Sequence, residues 1–246
     1  MTASQSPTRD DFEFMAAAAQ ACAVNAHSLA EEARLLLAAG YSARALALAI
    51  SSLEEDGKQT AFTRQATVFD PDFRHTISKR SHPVRLHDEK QGAAVQSLRN
   101  VFEPLAVEEL VGRDPPHNPI ADIDLEEVNA EMRGRRESAL YVDSDGKAVH
   151  SPLDEIGEDE ARKYVRLAAT ASDIRKWIRG SEVSHIADYL EVYREVWLEQ
   201  EGDRDWTGLG IDVAAARWGA MRDAISAAFT VVQDDNGNPA SIVPVR

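Results

Sequence analysis

The sequence predicts a mainly α fold: an antiparallel helical bundle with additional C-terminal helices and one small β-hairpin. Three observations carry this prediction. Apolar residues recur at helical spacing through both halves of the chain, as in Leu46, Ala49, Ile50 and Leu53. Prolines gather in one central stretch, between Pro104 and Pro119, which divides the helical halves. Only "ALYVDSDGKAVHSP" shifts to a strand-like pattern, with Tyr141 and Val142 followed by the turn-forming Asp145 and Gly146.

Taken in order, a first long helix is expected from about Asp11 to Ala39, Ala-rich and stopped by Gly40. Ser42 is placed to cap a second helix that runs on toward Phe69 and returns antiparallel to the first. Pro71 opens a short helix through a basic segment, and Pro83 suits the first turn of a further helix carrying Leu86, Val95, Leu98, Val101 and Phe102. A connection follows, then a helix from about Leu125 to Glu137 and the hairpin. Helical patterns resume at 158–179, 182–200 and 212–229, and the turn-rich tail "DDNGNPASIVPVR" closes the chain. The expected organisation is a bundle over 1–103, a connection with helix and hairpin over 104–157, and a C-terminal helical extension over 158–246 packing on the bundle, so that a fragment ending near Pro152 retains the bundle.

Composition narrows the function classes. With 246 residues, 43% of them hydrophobic, the chain can bury a substantial core. Its single cysteine, Cys22, lies in an Ala-rich run, so no intramolecular disulfide is possible and the thiol reads as a small core residue of a cytoplasmic protein. The start, "MTASQSPTRDD", has no basic region leading into an apolar one, and charges interrupt every apolar stretch, so neither a signal peptide nor a membrane span is expected. A net charge of −15 repels polyanions over most of the surface and leaves room only for a local nucleic-acid site. No Gly-rich phosphate loop follows a strand and no nucleophile elbow is present, which argues against kinase, dehydrogenase and hydrolase chemistry.

Two constellations stand out. In "LEEDGK", Glu54 and Glu55 lie four and three residues before Lys58, so either carboxylate can pair with the ammonium on one helical face. Gly57 inside a helix costs about 1 kcal/mol relative to Ala, which points to close backbone packing or a local site. The second constellation is "FRHTISKRSHPVRLHDEK", where Arg74, Lys79, Arg80, Arg85 and Lys90 crowd around His75, His82 and His87 in an acidic chain.

The stretch "NAHSLAEEARLLLAAGYSARALALAISSLEEDGK" resembles the opening of the AbiV family of bacterial abortive-infection proteins, within the HEPN class of helical domains. "FRHTISK" and "RESALYVD", with Arg136, Tyr141 and Asp143, agree with the same family, so the resemblance runs over about 20–147; Asp56 stands where that pattern calls for an apolar residue. The resemblance implies an HEPN-like bundle, a role in antiphage defence, a homodimer, and a phage-encoded protein as a possible trigger. It also implies metal-independent RNA cleavage, since HEPN nucleases carry an Arg followed a few residues later by His. Here Arg80 precedes "SHPVRL" and His87; a second such spacing joins Arg179 and His185.

Those residue types suit RNA cleavage by its own 2′-hydroxyl. Histidine exchanges protons near neutrality and arginine stabilises phosphoryl oxygens through a planar donor fork. Arg80 and His87 are therefore the catalytic candidates, Arg74, His75, Lys79 and Arg85 the RNA- or phosphate-binding ones, and Glu54, Glu55, Lys58, Arg136, Tyr141 and Asp143 a supporting polar site. No cofactor is expected and no metal, because the spacing of His75, His82 and His87 matches no zinc motif. The alternative is a noncatalytic helical protein that blocks phage or host translation by binding a protein partner.

Overall fold

The computed structural model describes residues 6–79, 82, 85–110, 118–144, 146–199, 219–220, 223–235 and 239–245. Helix α1 (Arg9–Ala38) opens with a capping box, Thr8 and Asp11 each accepting from the other's backbone N–H. It ends in a Schellman turn: Gly40 takes φ +82°, its N–H reaches the Leu37 carbonyl at 3.0 Å, and the Tyr41 N–H reaches Leu36 at 2.9 Å. This tight reversal lays α2 (Ser42–Arg64) antiparallel to α1. Ser42 is thus the first helical residue and not the expected cap.

Small residues let α1 and α2 approach closely. Ala26, Ala30 and Ala33 face Ala45, Ala49 and Ser52, and the Ser52 hydroxyl donates to the Ala26 carbonyl at 2.7 Å. Helix α2 is buried on nearly all sides, packed by α1, α4, α5 and α7. Its buried set therefore includes polar residues: Ser52, Glu54, Asp56 and Gln59.

The short α3 (Phe73–Thr76) fulfils the expectation after Pro71. Helix α4 (His87–Leu110) departs from expectation at both ends. Its first helical bond runs from the Lys90 N–H to the Leu86 carbonyl, and a separate turn closed by Arg85 on His82 precedes it. The helix thus starts after Pro83, which lies outside the described residues, and runs through Pro104, which had been placed in the connection. Helix α5 (Leu125–Leu140) is capped by Asp124, whose Oδ1 accepts from Glu126 and Glu127, and it extends one turn past the expected end.

The expected hairpin forms from β1 (Asp143–Ser144) and β2 (Val149–His150), turning at Gly146 with φ +81°. After α6 (Pro152–Glu155), the pattern read as one helix over 158–179 divides at Arg175 into α7 (Glu158–Ile174) and α8 (Lys176–Gly180). Helix α9 (Val183–Glu199) follows. The tail adds a second antiparallel hairpin, β3 (Phe229–Gln233) with β4 (Pro239–Pro244). Gly180 meets this hairpin so closely that a Cβ there would lie 2.0 Å from the Ala240 carbonyl oxygen.

The main core joins Leu46, Ile50 and Leu53 of α2 to Val95 and Leu98 of α4, Val128 and Met132 of α5, and Tyr164, Leu167 and Ala168 of α7. The core therefore does not stop at residue 103, and α7 lies within it. A second cluster packs Phe12 and Met15 of α1 against Ile178, Ile186 and Leu190 of the C-terminal half. Among the described residues no helix is long and apolar enough to cross a membrane.

Candidate functional site

The site begins with a carboxylate in an expensive place. Glu54 is 4% exposed at the centre of α2, and an ion removed from water is tolerated only with close partners. The first turns of α4 supply them. His87, Lys90 and Gln91 fall at i, i+3 and i+4, hence on one helical face. The His87 Nδ1 lies 2.8 Å from both Glu54 oxygens, the Gln91 amide donates to Oε1 at 2.8 Å, and Lys90 Nζ donates to Oε2 at 3.1 Å. From α5, Arg136 Nε stands 3.8 Å from Oε1.

Burial alone would raise the Glu54 pKa, but the Lys90 ammonium and the hydrogen bonds from His87, Gln91 and Lys90 outweigh it and hold the carboxyl below its ordinary range. A carboxylate only accepts, so the His87 nitrogen facing it is the protonated one. Lys90 Nζ is 3.4 Å from that nitrogen, a longer contact than either to the carboxylate, and does not change the assignment. Among the described residues nothing hydrogen-bonds Nε2, and the side chain is 48% exposed. A buried acid thus fixes the tautomer of an accessible base.

Gly57 explains how α2 and α4 come near enough. A Cβ there would lie 1.8 Å from the Lys90 carbonyl oxygen and 2.7 Å from its carbon, both backbone atoms that cannot swing aside. The close packing inferred from an interior glycine is therefore a contact between the two helices that carry the site.

The structure gathers some predicted residues and separates others. Glu54, His87 and Arg136 converge. Glu55 and Lys58 pair with each other instead, beside Cys22 of α1. Burial and the Glu55 carboxylate push the Cys22 thiol up to about 12. Arg74 reaches Asp11 at 3.4 Å and lies 4.7 Å from the Phe14 ring centre, and with His75 it lines a recess at the start of α1. Arg85 donates to the Ile77 carbonyl at 2.8 Å, and Lys79 is exposed.

Tyr141 is 65% exposed and Asp143 accepts from its neighbour Ser144, so neither enters the Glu54 cluster by a hydrogen bond. Arg80 lies outside the described residues. The second Arg–His spacing is used differently: Arg179 donates to the Ser172 carbonyl and hydroxyl at 2.5 and 3.1 Å, closing the end of α7. His82 packs edge-on against Phe73, with ring centres 5.1 Å apart. Sequence reasoning named Lys90 only as part of the basic cluster and passed over Gln91, so neither was read as a partner of Glu54. Their spacing from His87 was the available signal, but Glu54 had to be known as the facing partner.

A family model described as AbiV, of the HEPN class, matches residues 14–172, from within α1 to the last turn of α7. No curated protein and no solved structure gives a match. The family match takes in every helix that builds the Glu54–His87 cluster and covers well over half of the 246 residues; the chain belongs to the AbiV family of HEPN-domain abortive-infection proteins.

Proposed function

We propose that this abortive-infection protein acts in antiphage defence as a metal-independent endoribonuclease, with His87 as its general base and Glu54 as the group that orients it. The observation that carries the reading is the 2.8 Å contact of His87 Nδ1 with a buried carboxylate on a half-exposed imidazole. In this reaction Nε2 takes the proton of an RNA 2′-hydroxyl as that oxygen attacks the adjacent phosphorus, and the 5′-oxygen leaves, taking a proton from solvent water, while the proton on His87 is returned to solvent. The products are a 2′,3′-cyclic phosphate and a 5′-hydroxyl. Arg136, a partly exposed side chain whose buried Nε stands 3.8 Å from the same Glu54 carboxylate, is proposed as the nearby cation for the phosphoryl oxygens. Arg80 is proposed for the same task, on the family pattern. The working form is a cytoplasmic homodimer acting on RNA at this one local site, released by a phage-encoded trigger.

The second reading, a noncatalytic protein-binding role, draws on the first hairpin. Tyr141, Val142, Val149 and Leu153 are 65–80% exposed around it, an apolar surface suited to a protein contact.

The test is incubation of total RNA with full-length protein in chelator, the protein being purified from infected and uninfected cells, followed by analysis of the RNA ends. His87→Ala should lower cleavage by about 100- to 10,000-fold while leaving the unfolding transition in place. Cleavage at the parent rate by His87→Ala overturns the assignment. Absence of cleavage by the parent from either source moves the protein to the binding role.

A further inference from the structure

Arg175 occupies the junction between α7 and α8, and its side chain reaches two helices at once. Its Nε lies 3.4 Å from Asp56 Oδ1 on α2, and its guanidinium donates to the Ser97 hydroxyl on α4. These are the helices that build the Glu54–His87 cluster. The anchor points flank that cluster: Asp56 adjoins Gly57, which meets the Lys90 carbonyl, and Ser97 lies about two helical turns beyond Lys90.

Stability does not account for this pair. Asp56 is 3% exposed, and neither its Oδ2 nor Arg175 Nε has a hydrogen-bond partner among the described residues. A buried ion pair with open hydrogen-bonding positions loses more to desolvation than good packing would, and an apolar pair of similar volume often holds a fold better. An apolar pair would not, however, set direction. A planar guanidinium ion-paired with a carboxylate on α2 and hydrogen-bonded to a hydroxyl on α4 restricts how the two helices cross.

We propose that Arg175 is a positioning residue: by tying Asp56 and Ser97 it fixes the α2–α4 crossing and so keeps Glu54 in register with His87, placing the site under the control of the C-terminal half. The link continues outward. Lys176, the next residue, pairs with Asp234 beside the second hairpin, and Gly180 packs directly on β4. A partner that shifts this hairpin would shift Arg175. The inference takes Glu54–His87 as the working pair, as proposed above, but its test does not depend on RNA.

The test uses full-length protein with ring-¹⁵N-labelled histidine, reading the His87 tautomer and titration by NMR alongside thermal unfolding. The parent should show one dominant Nδ1–H form. Asp56→Leu/Arg175→Met, an apolar replacement of both charges, should unfold at a temperature equal to or above the parent's and yet lose that single form. Arg175→Lys, which keeps a cation but lacks the fork, and Ser97→Ala should lose part of it. Parent-like His87 signals in the folded double variant overturn the proposal. Should the double variant not fold, parent-like signals in both Arg175→Lys and Ser97→Ala overturn it equally. RNA cleavage by His87→Ala and Glu54→Gln judges the nuclease reading separately, so the two ideas fail on different measurements.

Discussion

Gly57→Ala offers the sharpest test of how the site is built. In an isolated helix this change stabilises by about 1 kcal/mol, because alanine restricts the unfolded chain and favours the helix. Here the added carbon would meet the Lys90 carbonyl oxygen at 1.8 Å, where ordinary contact begins at 3.4 Å. Helices α2 and α4 must therefore separate by about 1.6 Å at this point. The same movement stretches the Glu54 contacts with His87, Lys90 and Gln91, now 2.8 to 3.1 Å, past hydrogen-bonding range. Overpacking costs about 1–3 kcal/mol and a weakened buried charge cluster adds to it, against the 1 kcal/mol gained from propensity. The expected net loss is roughly 3 kcal/mol, measured by urea unfolding of parent and variant, with the His87 tautomer read by NMR. A variant as stable as the parent, with His87 unchanged, would refute the close helix contact and the geometry derived from it.

Two further outcomes follow from the same structure. Glu54→Gln should cost about 3 kcal/mol at neutral pH, because Lys90 is left buried without its anion. The folded-state pKa of Glu54 is depressed, so its stabilisation is present above the unfolded value, 4.5, and lost as pH falls through the folded one. Stability curves of parent and variant should therefore begin to draw together below pH 4.5 and meet only below the folded-state pKa; a gap that widens as pH falls would contradict the depressed pKa. A fragment ending at Pro152 should show no cooperative unfolding by circular dichroism, since it lacks Tyr164, Leu167 and Ala168 from the main core. This reverses the expectation drawn from sequence, and a sharp two-state transition in the fragment would restore it.

Local rules made much of the protein legible in its sequence. Thr8 with Asp11, Gly40, Asp124 and Gly146 mark helix ends and a turn through interactions within a few residues, so helix type and the first hairpin could be read directly. The Ala- and Leu-rich faces announced the α1–α2 pair for the same reason. Glu54 stood out through its spacing from Lys58 and the family resemblance, Arg136 through that resemblance, His87 through its spacing from Arg80, and Gly57 as a sign of close packing. Their partners were not readable, because a hydrogen bond between residues 54 and 87 depends on where α4 crosses α2 and leaves no periodic signal in the chain. The start of α4 went astray because Pro83 is permitted at a first helical turn but does not require one. The second hairpin was hidden by its docking on α8 at Gly180, a contact between distant segments. Asp56 shows the division most plainly. As a letter it broke an apolar pattern; only tertiary packing, which brings Arg175 to it from 119 residues away, supplies a charge for it to face.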